Sequence, residues 1–287
     1  MEKKRTWKDS GLWDFWVQFR KNRLALFGLA LLCIIILFAV FAPIIAPEGY
    51  DKQDLTKRFL TPSREHLMGT DNFGRDIFAR IIYGARISLV IGLGSMMISV
   101  CIGMILGAIS GYYGGYLDQV IMRIMDIFLS IPQLILAIAI AAALGGGIGN
   151  LILAVSLSSI PRYARILRGS VLQAVSQEYV EAAKAGGASD FRILLKHIIP
   201  NCLGPIIVQA TLGVGVSILS AASLSFIGMG IAPPKPEWGS MLSVGRTYIR
   251  DYPHITLFPG LAIAITIFAL NVVGDGLRDA FDPKQRR

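Results

Sequence analysis

Residues 148–160 read Ile-Gly-Asn-Leu-Ile-Leu-Ala-Val-Ser-Leu-Ser-Ser-Ile, and whether they cross a bilayer sets the side on which everything after them lies. A hydrocarbon core of about 30 Å takes about 20 residues at 1.5 Å each. A 13-residue run after the Gly145-Gly146-Gly147 turn can be a crossing, a re-entrant segment or a buried helix. Around it lie five longer runs, 24–45, 87–110, 127–144, 202–232 and 255–273, none with a charged residue. Over the whole chain 54% of residues are hydrophobic and 16% charged, against about 25% charged in an average soluble domain. The composition points to a bilayer as the main solvent.

Lysine and arginine collect on the cytoplasmic side of membrane proteins. With six crossings and both termini inside, 18 basic residues are cytoplasmic and 10 are outside. The 18 comprise seven before residue 24, Arg123, six from Arg162 to Lys196 and four in the tail. If 148–160 did not cross, the split would become 11 inside and 17 outside. The sequence therefore predicts an all-α polytopic membrane protein with six transmembrane helices and cytoplasmic N- and C-termini. The seven basic residues of the first outer loop are offset there by Glu48, Asp51, Asp54, Glu65, Asp71 and Asp76. The net charge of +9 is an orientation signal, and no nucleic acid partner is expected.

These crossings divide the chain into a cytoplasmic interfacial arm (1–23), a first transmembrane helix (24–45), an extracytoplasmic loop with a lead-in helix (46–86), a five-helix core (87–275) and a cytoplasmic tail (276–287). In the arm, Trp13, Phe15, Trp16 and Phe19 mix with Asp14, Arg20, Lys21 and Arg23, a pattern suited to the headgroup layer. In the lead-in helix Ile77, Phe78, Ile81 and Ile82 share one side, and Asp76 and Arg80 are spaced for an i,i+4 pair. The first apolar run has no small-residue cleavage site behind it and reads as retained.

Enzymatic signatures are missing. There is no Gly-Lys dipeptide and hence no P-loop, and His66, His197 and His254 are isolated, with no His-Glu-x-x-His zinc site. Cys33, Cys101 and Cys202 lie far apart without ligand spacing, so neither a catalytic nor a metal site is expected. The crossings hold no acidic residue for proton or sodium coupling, which disfavours an ion-gradient carrier. An intramembrane enzyme is disfavoured by the lack of a paired nucleophile and base in the crossings. Energy for uphill transport would come from a partner.

The cytoplasmic stretch 178–201 reads as helix, turn, helix. Glu181, Ala182, Ala183 and Lys184 favour helix; Gly186 and Gly187 can supply a left-handed cap; Ser189 can cap the next helix, which Pro200 is expected to close. On local chemistry alone it is either a plain amphipathic connector or a short helix that enters a groove on another protein.

This stretch resembles the EAA loop of permease subunits in ABC importers, through Glu181, Ala182, Ala183, Gly187 and Pro200. His197 stands where isoleucine is usual, and the His-Ile-x-Pro-Asn ending is similar to the peptide-permease branch. Three further stretches look like the C-type permease of the dipeptide and oligopeptide branch. They are Gly69-Thr70-Asp71-Asn72-Phe73-Gly74-Arg75-Asp76, then Ser223-Leu224-Ser225-Phe226-Ile227-Gly228-Met229-Gly230 followed by Pro233-Pro234 and Trp238-Gly239, and finally Gly274-Asp275-Gly276-Leu277-Arg278-Asp279-Ala280 with Asp282-Pro283. Each also suits a local role as turn, helix exit or charged helix end.

The resemblance implies a type I importer permease in the bacterial inner membrane. Segment 176–200 would be its coupling loop, and it would pair with a second permease, two ABC ATPase subunits that use ATP and Mg, and an extracytoplasmic substrate-binding protein. It implies di- or oligopeptides as cargo, with glutathione or a nickel chelate as alternatives.

Two stripes that recur every four residues bear on the path. Ser95, Ser99, Gly103, Gly107 and Gly111 line one side of the second crossing; Gly213, Ser217, Ala221 and Ser225 line one side of the fifth. Such ridges permit close helix approach, either inside this chain or against a second subunit. Gln209 and the hydroxyls make the fifth crossing the candidate pore wall.

Overall fold

The computed structural model describes residues 11–281. Over these its regular structure is helix, joined by loops of which 46–76 is the longest, with one isolated antiparallel bridge between Thr70 and Asp76. The arm forms α1 (Gly11–Lys21) and enters α2 (Arg23–Val40) through Asn22. Asn22 Oδ1 accepts from the Ala25 N–H at 3.0 Å, a side-chain cap for a donor that helix geometry leaves free. Its Nδ2 donates to Asp279 at 3.0 Å, tying the arm to the far end of the chain. The first apolar run is not one helix: it breaks at Phe41, and α3 (Ala42–Ile45) follows with Pro43 in its first turn, where a missing N–H costs nothing.

α4 (Ile77–Tyr113) joins the lead-in helix and the second crossing in one 37-residue rod. The expected Asp76–Arg80 pair does not form, because Asp76 is used as the N-cap. It accepts from the Ala79 N–H at 2.8 Å and lies 2.9 Å from His66 Nδ1. Arg80 turns instead to Asp71, 3.6 Å away.

α4 packs along α7 (Ile148–Val175), and the two run parallel. Ser95 and Ser99 donate to the carbonyls of Ile152 and Ser156 at 3.3 and 3.0 Å. Further along, a methyl group on Gly103, Gly107 or Gly111 would collide with Tyr163, Ala164 or Val171. The small-residue stripe of the second crossing is therefore packing within this chain. Because α4 and α7 point the same way, the segment between them must run back along the bundle, a distance of about 30 Å.

It returns as α5 (Gly115–Leu129) and α6 (Gln133–Leu144), which meet at 90°. The sequence reads 127–144 as one uninterrupted run, but the bend falls inside it. Pro132 cannot donate to a helix and drives Ile131 out of the helical region, while Ser130 Oγ donates to the Ile127 carbonyl at 2.7 Å.

α7 has 28 residues, about 42 Å, far beyond the 148–160 run that opened the question. Arg162, Arg165 and Arg168 interrupt its hydropathy without ending the helix. Two of them bond to carboxylates on α5: Arg165 to Asp126 at 2.6 Å, and Arg168 to both oxygens of Asp118 at 2.5 and 2.6 Å.

The chain then forms α8 (Glu178–Ala185), α9 (Asp190–Ile193), a π-turn at Leu194–Ile198 and α10 (Ile199–Phe226). α10 stops short of residue 232 because Gly228 takes φ +90°. That conformation lets the Met229 and Gly228 N–H groups close on the carbonyls of Leu224 and Ser225. α11 (Trp238–Gly245) and α12 (His254–Phe281) complete the bundle. α2, α4, the helix from Asp190 to Phe226 and α12 are each long and apolar enough to cross a membrane, and the bent α5–α6 pair can make a fifth crossing. α2 lies against α12 where Gly28 meets Ala269 and Val272 and where Gly276 meets Ala25, and Phe19 of α1 packs on Gly276 as well. The last contact gives the Gly274–Ala280 motif a packing role.

Candidate functional site

The α8–α9 hairpin, which continues α7 and feeds α10, closes the end of the bundle expected from the charge distribution to be the inner one. α8 ends in a Schellman cap: Ala188 N–H bonds to the Ala183 carbonyl at 3.1 Å, and Gly187 N–H to the Lys184 carbonyl at 3.0 Å. This closure needs the left-handed φ of +77° found at Gly187, whereas Gly186 has an ordinary φ of −76°. Ser189 is the N-cap residue of α9 but its hydroxyl makes no cap bond.

Pro200 does not close the second helix as the sequence suggested. The π-turn just before it lets the Ile199 N–H reach back to the Leu194 carbonyl. Wider i→i+5 winding of this kind accommodates a proline within one helix. Asn201 Nδ2 donates to the His197 carbonyl at 2.6 Å, and the rod continues to Phe226.

One side of the hairpin is anchored. Val180, Ile193, Leu194 and Ile198 are buried with Leu167 and Val171 of α7 and Cys202 and Ile206 of α10. Its other side is open: Glu181, Ala182 and Gly187 are exposed, and Ala183 is half-buried. Sequence reasoning missed two residues here. Phe191, 72% exposed, adds an apolar knob beside the tip; an aromatic in the polar run Ser189-Asp190-Phe191-Arg192 is the signal that could have marked it. Tyr112, at the last turn of α4, donates its hydroxyl to Asp190 at 2.6 Å, and the Lys184 ammonium lies 5.5 Å from its ring centre. Tyr112 thus holds both arms of the hairpin against α4.

Of the five candidate pore-wall residues, four are turned into the chain's own packing. Gly213 admits the Tyr163 hydroxyl of α7, and Ser217, Ala221 and Ser225 are buried. Gln209 is half-exposed, and its Oε1 accepts from Arg162 Nη2 at 3.2 Å.

The opposite end, expected to be the outer one, is a closed polar cap. Asp71 and Arg75, both nearly inaccessible, pair at 2.7 Å. Arg80 donates to the carbonyls of Tyr50 and Pro234 at 3.3 and 3.4 Å. Trp238, 1% exposed, donates to the Ile81 carbonyl at 3.0 Å. Glu237 caps α11, accepting from the Gly239 and Ser240 N–H groups at 2.8 Å each. Burial pushes its carboxyl above the usual carboxylate range despite those bonds.

The chain as a whole is similar to known proteins. Residues 103–287 match the family described as binding-protein-dependent transport system inner membrane component, and 10–62 match the N-terminal transmembrane domain of oligopeptide transport permease C. A dipeptide transport system permease protein of Alkalihalophilus pseudofirmus is 46% identical over 269 residues, 94% of this chain and 88% of that relative. The chain belongs to the binding-protein-dependent transport inner-membrane family. A glutathione transport system permease protein of Shigella sonnei, another relative of this inner-membrane component, is also 46% identical, over 274 residues that cover 94% of this chain and 90% of that one.

The fold is that of type I ABC importer permeases. An inward-facing MetNI methionine ABC transporter superposes with a TM-score of 0.58 at 20% identity, covering 71% of this chain and 97% of its own. An amino acid ABC transporter with histidines gives 0.54 at 15% identity, covering 70% and 94%. The chain is accordingly a multi-pass inner-membrane transport subunit.

Proposed function

We propose that this chain is one of two permeases forming the path of an ATP-driven importer for di- or oligopeptides. The observation that carries the reading is the α8–α9 hairpin, whose exposed tip is rooted in α7 and α10 at once. A cleft that gripped Glu181, Ala182 and Gly187 would move both helices together. Ala183 fixes the cap, Phe191 adds apolar grip, and the π-turn before Pro200 gives α10 a place to flex. The chain itself would be non-catalytic, with ATP and Mg bound by two ABC ATPase subunits inside. A substrate-binding protein would dock on the outer cap and a second permease would lie alongside. Six crossings with both termini inside fit the parallel α4 and α7 and the charge distribution.

The peptide assignment comes from the dipeptide relative. Glutathione, itself a tripeptide, is the second reading, because a glutathione permease is equally similar. Affinity purification of the tagged chain from its own membranes is expected to bring down a P-loop ATPase, and mass spectrometry of the partner binding protein to find a bound peptide. A chain that purifies without any ATPase would fit a gradient-driven carrier instead.

A further inference from the structure

Three arginines descend the inner half of α7. Arg168 and Arg165 each bond to a carboxylate of α5, Asp118 and Asp126. Arg162 is the deepest, and its partner is neutral: the Gln209 amide oxygen on α10 at 3.2 Å. Among the described residues no carboxylate lies within ion-pair distance of it.

Its depth follows from the packing of α7 on α4. The neighbouring Tyr163 lies against Gly103, and Gly103 stands seven residues before Ser110, which bonds to the Asp118 carboxylate near the inner end of α4. Arg162 is therefore about 10 Å inside that end. A guanidinium at such depth faces a water-filled cavity or a counter-charge from outside the chain. Arg162 is exposed and Gln209 half-exposed, so the pair opens away from the chain's own core.

We propose that Arg162, oriented by Gln209, is a station in the path that receives a carboxylate of the cargo, the C-terminal carboxylate of a short peptide. The inference rests on the peptide reading above. A guanidinium offers five N–H donors in a fork that fits a carboxylate at two points, and the bond to Gln209 takes one of them. The two residues stand on α7 and α10, the helices joined by the hairpin. A change in the α7–α10 spacing at the inner end alters the pair and with it the hold on the anion.

The test uses the complete importer in proteoliposomes with saturating binding protein, comparing a dipeptide with its C-terminally amidated form in wild type, Arg162→Gln and Arg162→Lys. For the free acid, Arg162→Gln is expected to lower peptide imported per ATP hydrolysed about tenfold, with the half-saturating peptide concentration unchanged, since that is set by the binding protein. Arg162→Lys should restore at least half of the loss. The amidated peptide should move at the same rate in wild type and Arg162→Gln. Equal losses for both peptides, or no loss for either, would overturn the proposal. So would dissociation of the permease pair in peptide-free Arg162→Gln complex, which would assign the counter-charge to an acidic side chain of the second permease. If the wild type imports neither peptide, the peptide reading itself fails and this inference falls with it.

Discussion

At the outer end of the bundle Trp238, Glu237, Asp71, Arg75 and Arg80 are all nearly inaccessible and bonded across α4, α11 and the first outer loop. At the inner end the hairpin leaves Glu181, Ala182, Gly187 and Phe191 exposed and is held by Val180, a few apolar neighbours and the single ring of Tyr112. Buried charge that is fully bonded fixes one geometry, since breaking it strands the remaining charges. A short helix with one anchored side can be displaced as a unit. The contrast supports the proposed lever, with a closed outer cap and an exposed hairpin as the handle for a partner.

Changes to the cap should cost stability, and changes to the handle should cost coupling. Trp238→Ala should have the largest effect, lowering stability by about 3–5 kcal/mol through the cavity left between α4, α10 and α11; thermal unfolding of the purified chain in detergent reads it. Asp71→Asn strands the Arg75 and Arg80 charges and should cost about 3 kcal/mol in the same assay.

Tyr112→Phe removes an exposed hydrogen bond worth about 1 kcal/mol and keeps the ring for Lys184. Unfolding should barely change, while transport per ATP hydrolysed falls severalfold. A shift in melting with transport intact would reverse the roles assigned to the two ends.

The smallest effect concerns pH. Glu237 has a raised folded pKa, so as pH climbs past about 4.3 the unfolded chain releases its proton first. Stability is then lost until the folded group also ionises. Replacing it, as in Glu237→Gln, should flatten that decline in melting temperature measured from mildly acidic to neutral pH.

Much of this contrast is legible in the sequence. Apolar runs located the helices, and Glu181, Gly187 and their neighbours marked the exposed hairpin to which the coupling role is proposed. Hydropathy failed where charge and helix coexist. It ended α7 at Ile160, although Arg165 and Arg168 continue it by bonding to Asp126 and Asp118, partners 39 and 50 residues away that no local pattern links to them. It read through Pro132, whose 90° bend is backbone sterics rather than polarity. Periodicity found the stripe Gly213, Ser217, Ala221 and Ser225 but could not say whose surface it meets; Tyr163 meets Gly213 from within, and the other three are buried in the same chain. Tyr112 was missed because its importance lies in two contacts, Asp190 and Lys184, distant in sequence.

The central proposal is that the hairpin links ATP hydrolysis to the path. Gly187→Pro replaces a φ of +77° with one near −65° and abolishes the cap while leaving Val180 and the α7–α10 contacts in place. In reconstituted complex, peptide import should cease, and loaded binding protein should no longer stimulate ATP hydrolysis. Stimulated hydrolysis and continued import in the Gly187→Pro complex would contradict the account.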